Sequence, residues 1–270
     1  MGSERIGNMF RRCRGEGRLA IVAYLMSGFP SPAAFPALAR AVAEAGADAI
    51  ELGIPFSDPL ADGPTIQAAG AAALKAGVTT AGCLEMAAQV RQATQGSRPD
   101  LALLFMGYFN PILQYGPARF AADSRAAGVD GLIVPDLALE EAPELDVPCR
   151  EHGLGIVPLV APTSATERIR ALAARGAAFL YITSRLGVTG ARSDLPLQVP
   201  ELVARVRSAL SEPLPLAVGF GISLPEHVAA LHGLADAAVV GSALLDRVGR
   251  AEDPVGAAAE FIAGLRQAAG

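Results

Sequence analysis

The sequence predicts a (β/α)8 barrel of the TIM type, formed as a single domain over residues 1–270. Three observations favour this fold. Short apolar runs recur along the chain, and Ala-rich, charged segments at helical spacing lie between most of them. The runs are almost continuously apolar, as in parallel strands that are covered on both sides. No linker or low-complexity segment interrupts the chain.

Eight apolar runs are expected to form the strands: 19–25, 48–52, 101–106, 131–134, 155–160, 179–183, 214–218 and 237–241. Helical spacing marks the clearest helices: 33–45, 119–127, 165–174, 202–210 and 254–268. Several helices end at a glycine that leads into a strand, as in "EAGAD" at 44–48. We also expect an extra N-terminal helix before the first strand. A doubly wound open sheet is the alternative, but no GxGxxG motif follows the first strand.

The fourth helix of the barrel is expected to be irregular. Its segment, "LEEAPELDVPCREHG" at 139–153, contains two prolines. Pro143 fits the first turn of a helix, whereas Pro148 is predicted to break or kink it, because proline lacks a backbone N–H.

Composition excludes several classes of function. The net charge of −5 disfavours a nucleic-acid partner or an anionic membrane. One long uncharged run, 101–118, contains prolines and glycines and does not resemble a membrane helix. No secretory signal is visible, and three scattered cysteines without a CxxC motif indicate free thiols in a cytoplasmic protein without a metal site. The histidines are predicted to lie on the surface: His152, His227 and His232.

An acidic segment, "ELGIPFSDPLADGPT" at 51–65, contains the first candidate catalytic residues. No Lys, Arg or His lies between Arg40 and Lys75, so these carboxylates have no charge partner nearby in sequence. If Glu51 points into the apolar mouth of the barrel, burial raises its pKa and makes it a candidate general acid or base. The alternative is a structural carboxylate paired with a distant arginine. For Asp58, capping of a turn is the simpler interpretation, and for Asp62 capping of the next helix is a simple alternative to catalysis.

Two glycine-rich turns follow the last two strands. "GFGIS" occupies 219–223, and "GSALL" at 241–245 opens a helix. Backbone N–H groups at such positions bind phosphate without lysine or arginine, and phosphate sites of these barrels often follow strands 7 and 8. We therefore expect phosphate contacts at Gly221, Gly241 and Ser242, with Phe220 beside them. The alternative is that the glycines only form tight turns.

The run "ELGIPFSDPLADGPTIQ" at 51–67 closely resembles the corresponding segment of the tryptophan synthase α subunit family. The resemblance extends over nearly the whole chain, through "YFNPILQYG", "PDL", "SRLGVTGAR", "GFGIS" and "GSALL" in the family's order. It implies that Glu51 and Asp62 are the two catalytic carboxylates. The implied reaction is the retro-aldol cleavage of indole-3-glycerol phosphate to indole and glyceraldehyde 3-phosphate, a step of tryptophan biosynthesis.

The resemblance also implies roles for residues around the carboxylates. Tyr181 lies near the catalytic Glu, and Thr189 contacts the loop Asp when the segment 184–196 closes over the site. Gly190 approaches the phosphate. The implied walls of the indole pocket are Tyr24, Ile66 and Ile133, although such isolated residues also suit an ordinary core.

A partner is implied as well. Members of this family work with a β subunit that carries pyridoxal phosphate and receives the indole, in an allosteric α2β2 heterotetramer, and this chain itself needs no cofactor. The implied contacts with the β subunit are Pro55, Asp58, Asn110 and Gln114.

Three other functions remain open from the sequence. A free-standing indole-3-glycerol phosphate lyase shares the fold and both carboxylates. A catalytically silent paralogue that activates a partner would need neither Glu51 nor Asp62. Another phosphate-sugar barrel, such as an isomerase or epimerase, would lack the acidic loop after strand 2.

Overall fold

The computed structural model describes residues 2–183, 198–219 and 221–270. These ranges contain nine strands: β1 (Ala20–Met26), β2 (Ala49–Gly53), β3 (Ala102–Met106), β4 (Gly131–Ile133), β5 (Gly155–Ile156), β6 (Leu159–Val160), β7 (Leu180–Thr183), β8 (Leu216–Gly219) and β9 (Ala237–Val240). The same ranges contain twelve helices: α1 (Gly2–Gly15), α2 (Phe35–Glu44), α3 (Pro64–Lys75), α4 (Thr80–Thr94), α5 (Phe109–Tyr115), α6 (Pro117–Ala126), α7 (Pro143–Glu151), α8 (Thr166–Ala173), α9 (Gln198–Ala209), α10 (Pro225–Ala229), α11 (Ser242–Arg250) and α12 (Pro254–Ala268).

The strands form one parallel sheet in the order β5-β4-β3-β2-β1-β9-β8-β7-β6. β5 and β6 are two parts of the fifth predicted strand, separated by Val157 and Pro158. β5 pairs with β4 at one end of the sheet, and β6 pairs with β7 at the other. Because one chain segment joins both ends, the sheet closes on itself. The predicted (β/α)8 barrel is confirmed, and α1 is the predicted extra helix.

Helix α1 covers the end of the barrel where the strands begin. Its apolar residues Ile6, Met9 and Phe10 belong to the cluster of side chains inside the barrel. The Phe10 ring lies 5.3 Å from the ring of Phe179, measured between centroids. A second, larger cluster fills the space between the sheet and the surrounding helices. The opposite end of the barrel, where the strands end, is therefore the end left for a site.

The fourth helix of the barrel, α7, differs from the prediction. It begins at Pro143, as expected, but it continues to Glu151 instead of breaking at Pro148. The proline removes one N–H group close to the end of a nine-residue helix, so only one intrahelical hydrogen bond is lost. Asp146 also anchors this helix, because it accepts two hydrogen bonds of 2.8 Å from Arg175.

The exposure of the histidines differs from the prediction at one position. His152 and His232 are exposed, as predicted, but His227 is buried and its Nδ1 accepts a hydrogen bond of 3.2 Å from the Ser223 N–H. The surface prediction for His227 is therefore wrong, because its short helix α10 packs this side inward. All three cysteines are free and buried. Within the described ranges, no helix has the length and apolar character needed to cross a membrane.

Candidate active site

Glu51 is the third residue of β2, and it pairs in register with Tyr24 of β1 and Leu104 of β3. Side chains alternate along a strand, so Glu51 shares the inner face of the barrel with Ala49. It is fully buried, and neither carboxyl oxygen has a hydrogen-bond partner among the described residues. Burial raises the pKa of Glu51 to about 8. At neutral pH this residue is therefore a protonated acid, as the sequence predicts for an inward-pointing glutamate.

Asp62 lies in the loop between β2 and α3 and is half-buried. Burial raises its pKa to about 6, although a hydrogen bond with the Tyr108 hydroxyl opposes part of that increase. Most Asp62 side chains are therefore ionised at neutral pH. The helix cap of α3 is Gly63, without a side-chain capping bond, so the simpler interpretation of Asp62 as a cap does not hold. Asp58 is exposed and accepts a 2.5 Å hydrogen bond from the Ser57 hydroxyl.

Two buried tyrosines, Tyr24 and Tyr181, interact with these carboxyl groups. Burial raises the pKa of Tyr24 and of Tyr181 well above the usual value, and the negative charges of Glu51 and Asp62 add to the increase. Both phenols therefore stay neutral. Tyr24 also pairs in register with Glu51 on the neighbouring strand.

Glycines make room for these tyrosines. A Cβ atom on Gly53 would lie 2.2 Å from the Tyr24 hydroxyl, and one on Gly219 would lie 2.7 Å from the Tyr181 hydroxyl. Such distances are far inside van der Waals contact, so a larger residue at either position would displace a tyrosine. The two strand-end glycines thus help to shape the mouth of the barrel.

The proposed indole-pocket residues are distributed between the two apolar clusters. Ile133 is fully buried in the cluster inside the barrel. Ile66 is half-buried in the first turn of α3 and packs against the larger cluster, to which Tyr24 also belongs. Sequence reasoning missed Met106 and Leu159, which are half-buried and pack against the interior cluster. Inward alternation on the third and fifth strands was the signal that could have identified them.

The glycine-rich turns have the backbone expected for a phosphate site. Gly221 is exposed and has a φ of +68°, a conformation that favours glycine. Gly241 caps the N-terminus of α11, and Ser242 is the first residue of that helix. A Cβ on Gly241 would lie 3.2 Å from the Cβ of Tyr24, so this helix start borders the same mouth. Thr189, Gly190 and Phe220 lie outside the described residues.

The residues expected to face a partner differ in exposure. The side chains of Asp58, Asn110 and Gln114 are exposed. Pro55 lies close to the end of β2 and is buried in the barrel. Its side chain is therefore not accessible to a partner. Close to the exposed positions, Leu60 is 95% exposed. In the described part of the chain, no group of three or more His, Cys, Asp or Glu residues could hold a metal ion.

Known proteins resemble this chain along almost its whole length. The model of the family described as tryptophan synthase alpha chain matches residues 10–268. Tryptophan synthase alpha chains of Solibacter usitatus and Chloroflexus aurantiacus are 48% and 47% identical. The first alignment covers 89% of this chain and 88% of the relative, and the second covers 98% of each.

Solved structures agree with the sequence relatives. A structure of Mycobacterium tuberculosis tryptophan synthase superposes with a TM-score of 0.89 at 37% identity and covers 98% of both chains. Tryptophan synthase subunit alpha of Legionella pneumophila superposes with a TM-score of 0.86 at 34% identity, over 98% of this chain and 97% of the other. This chain therefore belongs to the tryptophan synthase alpha chain family.

Proposed function

We propose that this chain cleaves indole-3-glycerol phosphate to indole and glyceraldehyde 3-phosphate, with Glu51 and Asp62 as its two catalytic carboxylates. Membership of the family supports a carbon–carbon lyase of this kind. The observation that carries the proposal is the difference between the two acids in one mouth: burial raises the pKa of Glu51 to about 8 and that of Asp62 to about 6. Between these values one group is protonated and the other is an anion, which is the combination the reaction requires.

Glu51 supplies the proton that makes bond cleavage feasible. The bond between the indole ring and the glyceryl chain breaks only when the ring can accept its electrons, and this requires a proton at ring C3. Protonated Glu51 donates that proton. The resulting carboxylate then accepts the proton of the glyceryl hydroxyl as the C–C electrons move into the ring. Indole and an aldehyde leave, and Glu51 is protonated again.

Asp62 stabilises the charge that develops between these two proton transfers. Protonation at C3 places positive charge on the ring nitrogen. An ionised carboxylate that accepts a hydrogen bond from the ring N–H stabilises that charge, most strongly where water is excluded. The buried phenols of Tyr24 and Tyr181 line the same mouth and remain neutral, so they do not compensate the charge of Asp62.

The phosphate of the substrate is proposed to bind at the two glycine-rich turns. Gly241 and Ser242 begin α11, a nine-residue helix whose first N–H groups have no partner within the helix. The N-terminus of a helix attracts an anion through these groups and through its dipole. Exposed Gly221 completes the proposed site from the turn after β8.

A β subunit is the proposed partner, in an α2β2 assembly. The similar Mycobacterium tuberculosis structures are described as tryptophan synthase, including an aminoacrylate-bound form. Contacts are proposed at the exposed residues Asp58, Asn110 and Gln114. Pyridoxal phosphate would belong to the β subunit, this chain would need no cofactor, and the pair would work in the cytoplasm.

Indole release from indole-3-glycerol phosphate tests this function directly. The purified chain is assayed with and without a β subunit, beside Glu51→Gln and the exposed control Glu85→Gln. We expect the chain alone to release indole slowly and the β subunit to stimulate release strongly. In Glu51→Gln, but not in Glu85→Gln, the rate of release should fall by about a thousandfold, because the general acid–base group is lost. Equal activity of Glu51→Gln and wild type would refute the assigned role.

The same assay distinguishes the proposed function from a free-standing lyase and from a silent paralogue. Rapid release without any partner, with no stimulation by a β subunit, would identify a free-standing lyase. Absence of release under both conditions, with retained binding to the β subunit, would indicate a silent paralogue.

A further inference from the structure

Tyr108 holds the acidic loop at two points. It is the residue that precedes α5, and only 6% of it is exposed. Its ring lies against the ring of Phe56, with 5.4 Å between centroids. Its hydroxyl accepts a 2.8 Å hydrogen bond from the backbone N–H of Ala61. One buried side chain thus contacts both the beginning of the loop and the residue before Asp62.

The Tyr108 hydroxyl also acts on the Asp62 carboxyl group, because it opposes part of the increase that burial causes in the pKa of Asp62. A phenol has one proton to donate and lone pairs that accept. Because the Ala61 N–H donates to the oxygen, the phenolic proton is free to point at the carboxylate. This geometry sets the direction of Asp62 and favours its ionised form, since a hydrogen bond from a donor stabilises a carboxylate.

We propose that Tyr108 is the positioning residue of Asp62: its hydroxyl accepts the Ala61 N–H over 2.8 Å, which holds the residue before Asp62, and it directs its own proton at the Asp62 carboxyl. This inference rests on the proposed function, in which Asp62 is the anion that faces the ring nitrogen. Tyr108 touches no reacting atom in that scheme. Its effect on the reaction passes entirely through the direction and the charge of Asp62.

The framework behind Tyr108 is suited to this role. The next residue, Phe109, donates its backbone N–H to Oδ1 of Asp136 over 2.9 Å. Asp136 follows β4, so the start of α5 is tied to the end of this strand. The position of the hydroxyl is therefore set by the barrel, and the loop is held against it.

Asp62 is negatively charged at pH 7, whereas the ionisable groups around it are neutral. Tyr24 from β1, Glu51 from β2 and Tyr181 from β7 all line this mouth. Burial raises the pKa of each, so all three are neutral at pH 7. Burial raises the pKa of the Tyr108 phenol, the charges of Asp62 and Asp136 add to the increase, and the phenol therefore keeps its proton.

The test is Tyr108→Phe, which keeps the ring and removes only the hydroxyl. Tyr115→Phe is the matched control, because Tyr115 lies on the same helix and its hydroxyl donates a 2.7 Å hydrogen bond to another carboxylate, Asp123. The first readout is the pKa of Asp62, measured by NMR titration of its carboxyl carbon in the full chain. We expect an increase of about one unit in Tyr108→Phe, since a stabilising donor is lost, and none in Tyr115→Phe.

Kinetics provide the second readout. For Tyr108→Phe we expect kcat to fall roughly ten- to a hundredfold with a smaller change in KM, because the ionised, oriented Asp62 acts mainly in the transition state. The acid limb of the pH profile of kcat should move to higher pH, since Asp62 loses its charge at a higher pH. A merely structural role would lower activity without moving that limb.

The outcomes separate this inference from the function on which it rests. An unchanged pKa of Asp62 in Tyr108→Phe overturns the inference, whatever the activity. A raised pKa in a chain whose wild type releases no indole supports the contact between Tyr108 and Asp62 and refutes the proposed function. A raised pKa together with a shifted acid limb supports both.

Discussion

Two buried acids, one at each end of the barrel, have opposite surroundings. Asp48 and Glu51 lie three residues apart, and both are buried. Burial alone would raise the pKa of Asp48, but hydrogen bonds from Arg18 and from the Ile21 N–H hold it below the usual value. Glu51 has no such partner, and burial raises its pKa to about 8. One acid stabilises the fold, whereas the other is left unpaired at the end where the chemistry is proposed.

The arrangement at Asp48 repeats around the end where the strands begin. Three aspartates stand directly before β2, β4 and β9, and each accepts a hydrogen bond from the backbone of a neighbouring strand. Each also pairs with an arginine of α1: Asp48 with Arg12, Asp130 with Arg5, and Asp236 with Arg14. This ring of ion pairs fixes α1 across the closed end. The closed end is thus held by ion pairs, whereas the carboxyl group of Glu51 at the open end has no hydrogen-bond partner among the described residues.

The largest expected effect on folding comes from Asp48→Asn. The change removes the buried anionic partner of Arg18, whose side chain is 6% exposed, and leaves it only the exposed carboxylate of Glu16. We expect the free energy of unfolding to fall by roughly 3–5 kcal/mol in urea titrations, while activity per folded molecule is retained. The control is Asp246→Asn, which removes a 43%-exposed i,i+4 pair and should cost less than about 0.5 kcal/mol. Equal losses in the two variants would contradict the contrast between the ends.

Glu51→Gln should increase the free energy of unfolding, whereas Asp48→Asn should decrease it. The increase is expected only at higher pH. The folded pKa of about 8 exceeds the usual pKa of 4.5 for a free glutamate. The folded state therefore keeps a proton that the unfolded state has lost, and wild-type stability decreases as pH rises through this window. Glutamine removes that dependence. We expect the variant to gain roughly 2–4 kcal/mol relative to wild type between pH 4.5 and pH 8.5, from unfolding curves at several pH values.

A stability difference that stays constant across this pH range would show that Glu51 titrates normally. Asp58→Asn is a suitable reference, because Asp58 lies on the same loop and is exposed. Its variant should show no comparable pH dependence.

The two ends of the barrel also differ in how much of their structure the sequence predicts. The barrel and the candidate acid Glu51 follow from local patterns: apolar runs, turn glycines and an acidic loop without bases. Asp62 does not, because its position before a helix also suits a cap and only the family resemblance marks it as catalytic. The ion pairs of the closed end do not, because Asp48 and its partner Arg18 lie 30 positions apart and meet only through the strand order. For the same reason the role inferred for Tyr108, 47 positions from Ala61, depends on the folded structure.

Other misses also have tertiary causes. His227 is polar and lies in a short helix, which predicts exposure, but packing of α10 buries it. Pro148 is a helix breaker in general, yet α7 tolerates it because Asp146 is anchored by Arg175. Local propensity was overridden in both cases by contacts that no short window contains.

At the open end, Gly53→Ala tests the fit between glycine and tyrosine. The added methyl group would lie 2.2 Å from the Tyr24 hydroxyl, so the ring must move. We expect a destabilisation of about 2 kcal/mol, as for other overpacked sites, together with reduced indole release. Combined with Tyr24→Phe, which removes the clashing oxygen, the loss in stability should be smaller than in Gly53→Ala alone.

The control for this pair is Gly264→Ala. Gly264 lies inside α12, and a Cβ there would meet nothing within 4 Å. This variant should be stabilised by roughly 0.5–1 kcal/mol, because alanine has the higher helix propensity. Additive losses in Gly53→Ala and Tyr24→Phe would show that the two residues do not share space.

The smallest effect is expected for Arg14→Ala, which probes the exposed edge of the closed end. Arg14 is 67% exposed, and its partner Asp236 keeps hydrogen bonds from Arg207 and from the Leu216 N–H when Arg14 is removed. We expect a loss below about 1 kcal/mol that shrinks further in high salt, since solvent screens such pairs. Arg18→Ala should cost clearly more, because Arg18 binds buried Asp48 through two nitrogens at 2.7 and 2.9 Å. If both substitutions cost the same, burial would not be what makes the ring of ion pairs stabilising, and the closed end would resemble an ordinary charged surface.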